Sequence, residues 1–192
     1  MSGQFLLTTA FKEWAIAVSA LATGKTILLL RKGGIREESK NFQVKSSNIW
    51  LYPTYEHQKS ELLKPEYRSQ VKEVPAGWHP ESISIQSYAE ITHTLIVQSL
   101  ATLEKLSPYH IWTQEMLRDR FKWKPQQPLT VLLLKVANLP TPITFSYDKS
   151  YGGCKSWIDL QSPIDTQGLT PALSEEAYQQ EAQKIIDLIG AG

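Results

Sequence analysis

Cysteine is nearly missing from this sequence. The single Cys154 excludes a disulfide framework and any zinc or iron–sulfur site built from several thiolates. Long apolar runs are missing too, and none approaches the roughly 20 residues of a membrane-spanning helix. The N-terminal MSGQFLLTTAFKEW has no basic segment before its short apolar stretch, so a secretory signal is not expected. Net charge is only +1 while aromatic residues make up 10%, a composition that disorder does not produce. The expectation is a cytoplasmic globular protein of 192 residues with 42% hydrophobic content, enough for a substantial core.

The small net charge hides an asymmetry. From Asp159 onward there are six acids and one base, a net of −5, which leaves +6 on residues 1–158. A basic body with an acidic tail is compatible with a polyanionic partner, and equally with a solvated surface of mixed charge.

Pattern along the chain predicts the elements. Phe11, Trp14, Ala15, Val18 and Leu21 share a 3.6-period stripe, which predicts a first helix capped by Thr8 or Thr9 and ended by Gly24. Short strands are expected at 26–32, 41–44 and 48–52, the last ended by Pro53. Period-2 alternation at 83–97 predicts a long half-buried strand. Helices at 100–106 and from Thr113 follow, then an aliphatic strand at 129–136 and two more at 143–147 and 155–160. A loop at 161–173 leads to a final helix capped by Ser174. No βαβ rhythm is present. The fold expected is α+β, a mixed curved sheet or small barrel flanked by helices, with one domain at 1–160 and an acidic linker and C-terminal helix at 161–192 packed on it.

Several segments carry chemistry-bearing residues. Gly24-Lys25-Thr26 resembles the end of a phosphate-binding loop, but Ser19 stands where the motif needs glycine and the helix comes before the strand. Arg31, Lys32, Gly33, Gly34 and Arg36 put two glycines among basic residues, where backbone amides can form an anion-binding nest; a plain strand-connecting turn is the competing reading. Tyr52, Tyr55, His57 and Gln58 gather aromatic and hydrogen-bonding groups just past a strand end, with Lys64 downstream. Aromatic faces beside basic groups suit an unpaired base and its phosphates. Glu37, Glu56 and His57 are candidates for hydrolytic acid–base work. Glu38-Ser39-Lys40 has carboxylate-x-lysine spacing, but no aspartate precedes Asp119 to complete a nuclease core. The four histidines show no metal-ligand spacing, so neither metal nor cofactor is expected. Cys154 reads as a buried structural thiol, and Trp112, Trp123 and Trp157 as core.

The stretches EWAIAVSAL (13–21), ILLLRKGGIREE (27–38), WLYPTYEHQ (50–58), LLKPEY (62–67), YHIWT (109–113), LLLKVANL (132–139) and YGGCKSWIDL (151–160) make the chain resemble the domain-of-unknown-function family 1802, small prokaryotic proteins common in cyanobacteria. The resemblance implies a link to restriction–modification or other DNA processing, through relatives joined to a nuclease-like domain that has no counterpart here. The order of long strand, helices and aliphatic strand is similar to part of the PUA-like (pseudouridine-synthase-and-archaeosine-transglycosylase) group. Three functions follow as expectations: an accessory DNA- or RNA-binding protein, a hydrolase of nucleic acid or nucleotide, and a protein-interaction module. The first is preferred, without catalysis and without a membrane partner.

Overall fold

A computed structural model describes residues 5–32 and 42–191. Its strands are β1 (Leu6–Trp14), β2 (Leu28–Arg31), β3 (Asn48–Thr54), β4 (Ser82–Val97), β5 (Leu129–Ser146), β6 (Trp157–Asp165) and β7 (Thr170–Pro171). The helices are α1 (Ala15–Ala22), α2 (Pro65–Arg68), α3 (Leu100–Lys105), α4 (Gln114–Lys122) and α5 (Glu175–Gly190). The strands form one mixed sheet in the order β2-β5-β4-β3-β1-β6, with β7 added to β5; only β1 and β3 run parallel. This is the α+β class with a mixed sheet that the element order predicts.

Each face of the sheet has its own apolar cluster, and strand alternation sorts the residues between them. On β3, Ile49 and Leu51 join the larger cluster while Trp50 and Tyr52 join the smaller. On β1, Phe11 goes to the larger and Ala10 to the smaller. The larger cluster also takes the buried apolar residues of α1, α3, α4 and α5. Strand β4 passes from one cluster to the other: Ile83 and Ile85 belong to the smaller and Ala89 and Ile91 to the larger, with a register shift between Ile85 and Ser87.

The sheet curls. Along the strand order β2 and β1 are four steps apart, about 19 Å in a flat sheet. Yet Arg31 on β2 donates from Nη2 to the Lys12 carbonyl of β1 at 2.8 Å and lies over the Phe11 ring at 4.3 Å. The curve is closed there by a side chain, because among the described residues β2 pairs only with β5.

Several element boundaries differ from the sequence reading, each for a reason in the packing. Residues 6–14 are a strand, not the start of a helix. Ala10 and Phe11 are fully buried on opposite faces, and β1 is hydrogen-bonded to β3 on one side and β6 on the other, which outweighs the helical spacing. The helix is confined to Ala15–Ala22, and Gly24 after it has φ +67°. A Cβ at Gly24 would come within 2.7 Å of Leu173, so glycine is needed there both for conformation and for space. Phe42–Val44 is not a strand; Phe42 is buried by ring contact with Phe11 and Trp157 instead of by a ladder. β3 runs through Pro53 to Thr54, because beyond Trp50 it pairs only with β1 and the missing N–H leaves no partner wanting. The strands expected at 129–136 and 143–147 are one, β5, with Pro140 and Pro142 inside its register shift. The last long strand extends through Asp165 into the expected loop, paired with Leu6 and Leu7. Trp123 is exposed at the end of α4, with the Lys124 ammonium 4.5 Å from its ring centre. No helix among the described residues is long and apolar enough to cross a membrane.

Candidate nucleic-acid interface

Parallel pairing brings the C-terminal ends of β1 and β3 to the same edge, and the curl of the sheet brings β2 to meet them. A cleft of about 510 Å³ opens there. Its floor is Lys12, Glu13 and Trp14 from β1, with Leu30 and Arg31 from β2. Helix α4 supplies one wall: Met116 and Arg120 are spaced by four and so lie on one side of it, and Trp112 joins them from just before the N-cap Thr113. Thr54, Glu56 and His57 follow from β3, the segment 77–79 forms the rim beyond them, and Tyr147 with residues 152–156 closes the remaining side.

Charge in the cleft is unbalanced. Among the described lining residues, Lys12, Arg31, Arg120 and Lys155 stand against Glu13 and Glu56, an excess of two positive charges. Glu13 is buried; its Oε1 accepts the Trp14 backbone N–H at 2.7 Å and its Oε2 meets Arg31 Nη2 at 2.7 Å. Lys12 donates to the carbonyls of Tyr151 (2.6 Å) and Gly153 (2.9 Å), and burial pulls its ammonium below the ordinary lysine range, opposed in part by Glu56. Arg120 is different. Burial first, and the Arg31 guanidinium next, pull it below the ordinary arginine range while Glu13 acts the other way. Among the described residues Arg120 makes no ion pair, and its Nε, like that of Arg31, is buried without a hydrogen-bond partner. Among the described residues, then, the one carboxylate beside the two guanidiniums is paired with Arg31.

The aromatic walls are fixed. Trp14 and Trp112 meet edge to face, with centroids 5.0 Å apart. At the rim His79 stacks on Tyr147 at 3.7 Å, and Trp78 meets Tyr55 edge-on at 5.9 Å. Glu56 accepts the Gly77 N–H at 2.6 Å and lies 3.4 Å from His57 Nε2. His57 itself has φ +65°, a backbone conformation that a side-chain-bearing residue adopts at a cost.

The residues singled out from the sequence have separate fates. Arg31, Glu56 and His57 come together in the cleft, and Tyr55 supports the rim through Trp78. Tyr52 turns into the smaller core cluster against Tyr151, where burial pushes its phenol up. Gln58 is buried, its Oε1 accepting the Ile16 N–H at the start of α1. Lys32 is buried and donates to the carbonyls of Arg120 and Phe121 at the end of α4. Lys64 donates to the carbonyls of Ser107 and His110. Gly33, Gly34, Arg36 and Glu37 lie outside the described residues. Cys154 is exposed and lines the cleft, contrary to the buried thiol expected, because it follows Gly153 at φ +78° in the segment 152–156. Among the described residues no group of three His, Cys, Asp or Glu is arranged to hold a metal ion.

Lys12, Glu13, Trp14, Trp78 and Arg120 reach the cleft without having been singled out as site residues. Only Arg120 left a signal, a charged group within the otherwise apolar side of α4. The others depend on strand β1 replacing a helix and on the curl of the sheet.

Fold and cleft together define an α+β protein with a cationic, aromatic-walled cleft at one edge of a curled mixed sheet. Within that class, the chain belongs to the family described as "Domain of unknown function (DUF1802)", which it matches over residues 10–184. No functionally curated protein matches it. Among solved structures it is similar to ASCH from Zymomonas mobilis, at 17% identity with 94% of each chain covered and a TM-score of 0.43. A point mutant of that protein gives 15% identity, 94% of this chain, 96% of the other and a TM-score of 0.45.

Proposed function

We propose that the cleft binds nucleic acid, with a phosphate seated on Arg31 and Arg120 and a base against the indoles of Trp14 and Trp112. The observation that carries this reading is the unpaired guanidinium of Arg120. Arg120 is desolvated beside a second guanidinium with no anion of its own among the described residues, and a phosphate would supply one. The volume, about 510 Å³, falls in the range of sites for single small ligands, of about 300–1,000 Å³. That suits one nucleotide unit and not the width of a duplex. A role as an accessory to DNA processing rests on the family resemblance.

The test is binding of labelled single-stranded DNA and RNA by fluorescence anisotropy across a salt series. Affinity falls steeply with salt through counterion release. Arg120→Met weakens binding about tenfold for every sequence, as loss of a charged hydrogen bond does, and lowers the salt slope by about one. Absence of binding at low salt to either strand type, or indifference to Arg120→Met, would overturn the reading.

A further inference from the structure

The phosphate and base proposed above engage Arg31, Arg120, Trp14 and Trp112, and the rim of the same cleft carries a further aromatic residue that they leave unused. Trp78 is 41% exposed and Tyr55 is 36% exposed. Isolated surface aromatics need no explanation, but this indole is held in place. Its turn is closed by the Trp78 N–H on the Pro75 carbonyl at 3.1 Å. One residue before it, the Gly77 N–H is anchored to Glu56, two residues past the end of β3. One residue after it, His79 stacks on Tyr147 of the opposite wall. Tyr55 buttresses one side of the indole edge-on, which leaves a ring face available. The result is a fixed platform at the mouth of a cationic cleft, with the cations of Arg31, Arg120 and Lys155 on the cleft side of it.

We infer that Trp78 is a stacking subsite for a second base, adjacent to the one in the cleft, so that the preferred ligand is a single-stranded segment of at least two nucleotides. The inference rests on the cleft's binding a nucleotide, as proposed above. An indole stacks any base whose ring face is free, which selects for single strands without selecting sequence. A base inside a duplex has both faces covered and cannot use the platform until it is unstacked.

The test compares two dinucleotides, one intact and one whose second residue is abasic, so that phosphate charge is the same in both. Affinities are measured by calorimetry for the wild type, Trp78→Ala, Trp78→Phe and Arg120→Met. In the wild type the intact dinucleotide binds about tenfold more tightly, a gap within the range of one base–aromatic stack. In Trp78→Ala the gap closes to less than about threefold and the abasic affinity is unchanged; Trp78→Phe restores most of it. Equal affinities in the wild type, or an unchanged gap in Trp78→Ala, would overturn the subsite while leaving the cleft reading intact if Arg120→Met still weakens both ligands. Failure of both ligands to bind would overturn the cleft reading and the subsite with it.

Discussion

Positive charge is desolvated both around Lys64 and in the cleft, and the two regions satisfy it differently. Around Lys64 the ammonium is closed in by backbone: it donates to the carbonyls of Ser107 and His110 and so ties the segment before α2 to the turn after α3. Beside it His110 is buried and neutral, its pKa pulled to about 3 by burial first and by Lys64 second. In the cleft, among the described residues, Glu13 pairs with Arg31, Arg120 has no ion pair, and both guanidiniums keep buried Nε atoms without partners. Carbonyls cannot leave, so Lys64 has a structural position. A guanidinium pair short of one anion has capacity for a ligand. Burial alone does not distinguish the two regions; the identity of the acceptor does.

Removing Glu13 breaks this comparison most severely. Glu13→Gln takes from Arg31 its paired carboxylate and from Arg120 an opposing charge, and stability falls by about 3–5 kcal/mol, the usual consequence of breaking a buried pair. Chemical denaturation measures the loss, and added phosphate or oligonucleotide recovers part of it in the variant more than in the wild type. Lys64→Met gives a smaller effect of the other kind. Two partly buried carbonyls lose their donor, stability falls by about 1–3 kcal/mol, and nucleic-acid affinity is unchanged. Equal loss of affinity in Lys64→Met would erase the distinction between the two regions.

A third effect is a pH dependence. His110 has a folded pKa of about 3, below its unfolded value of about 6.5, so the unfolded chain takes up the proton first. Its contribution is fully present above about pH 6.5 and is lost as pH falls toward about 3, with a slope approaching about 1.4 kcal/mol per pH unit. Denaturation midpoints between pH 7 and 5 should fall more steeply in the wild type than in His110→Gln. Parallel curves would mean that His110 is not held neutral by the fold.

Alternation made the long strands legible: 83–97 and the aliphatic run at 129–136 lie within β4 and β5, and the caps at Thr113, Ser99 and Ser174 start helices that local pattern marks. Residues 6–14 misled because a helical stripe and a two-sided buried strand can place the same apolar residues, and only pairing on both edges decides between them. The cleft was legible in fragments. Arg31 and His57 stand at strand ends, where display is expected. Tyr52 and Gln58 lie a few residues from them and are committed to packing and to the start of α1. Which side a strand-end residue faces depends on register, and a shift of one position reverses it. Glu13 and Arg120 meet Arg31 only because the sheet curls, a property of twist summed over strands that no local window contains.

The cysteine offers the most direct measurement. Cys154 is the only cysteine of the chain, is exposed, and lines the cleft. Its alkylation by iodoacetamide therefore reports occupancy of that cleft at a single atom. A saturating single-stranded oligonucleotide should slow the reaction at least about tenfold in the wild type, as the bound fraction exceeds about nine-tenths. Protection should weaken in Arg120→Met at the same oligonucleotide concentration. An oligonucleotide that binds by anisotropy while Cys154 reacts at its unliganded rate would place the nucleic-acid site elsewhere and contradict the account.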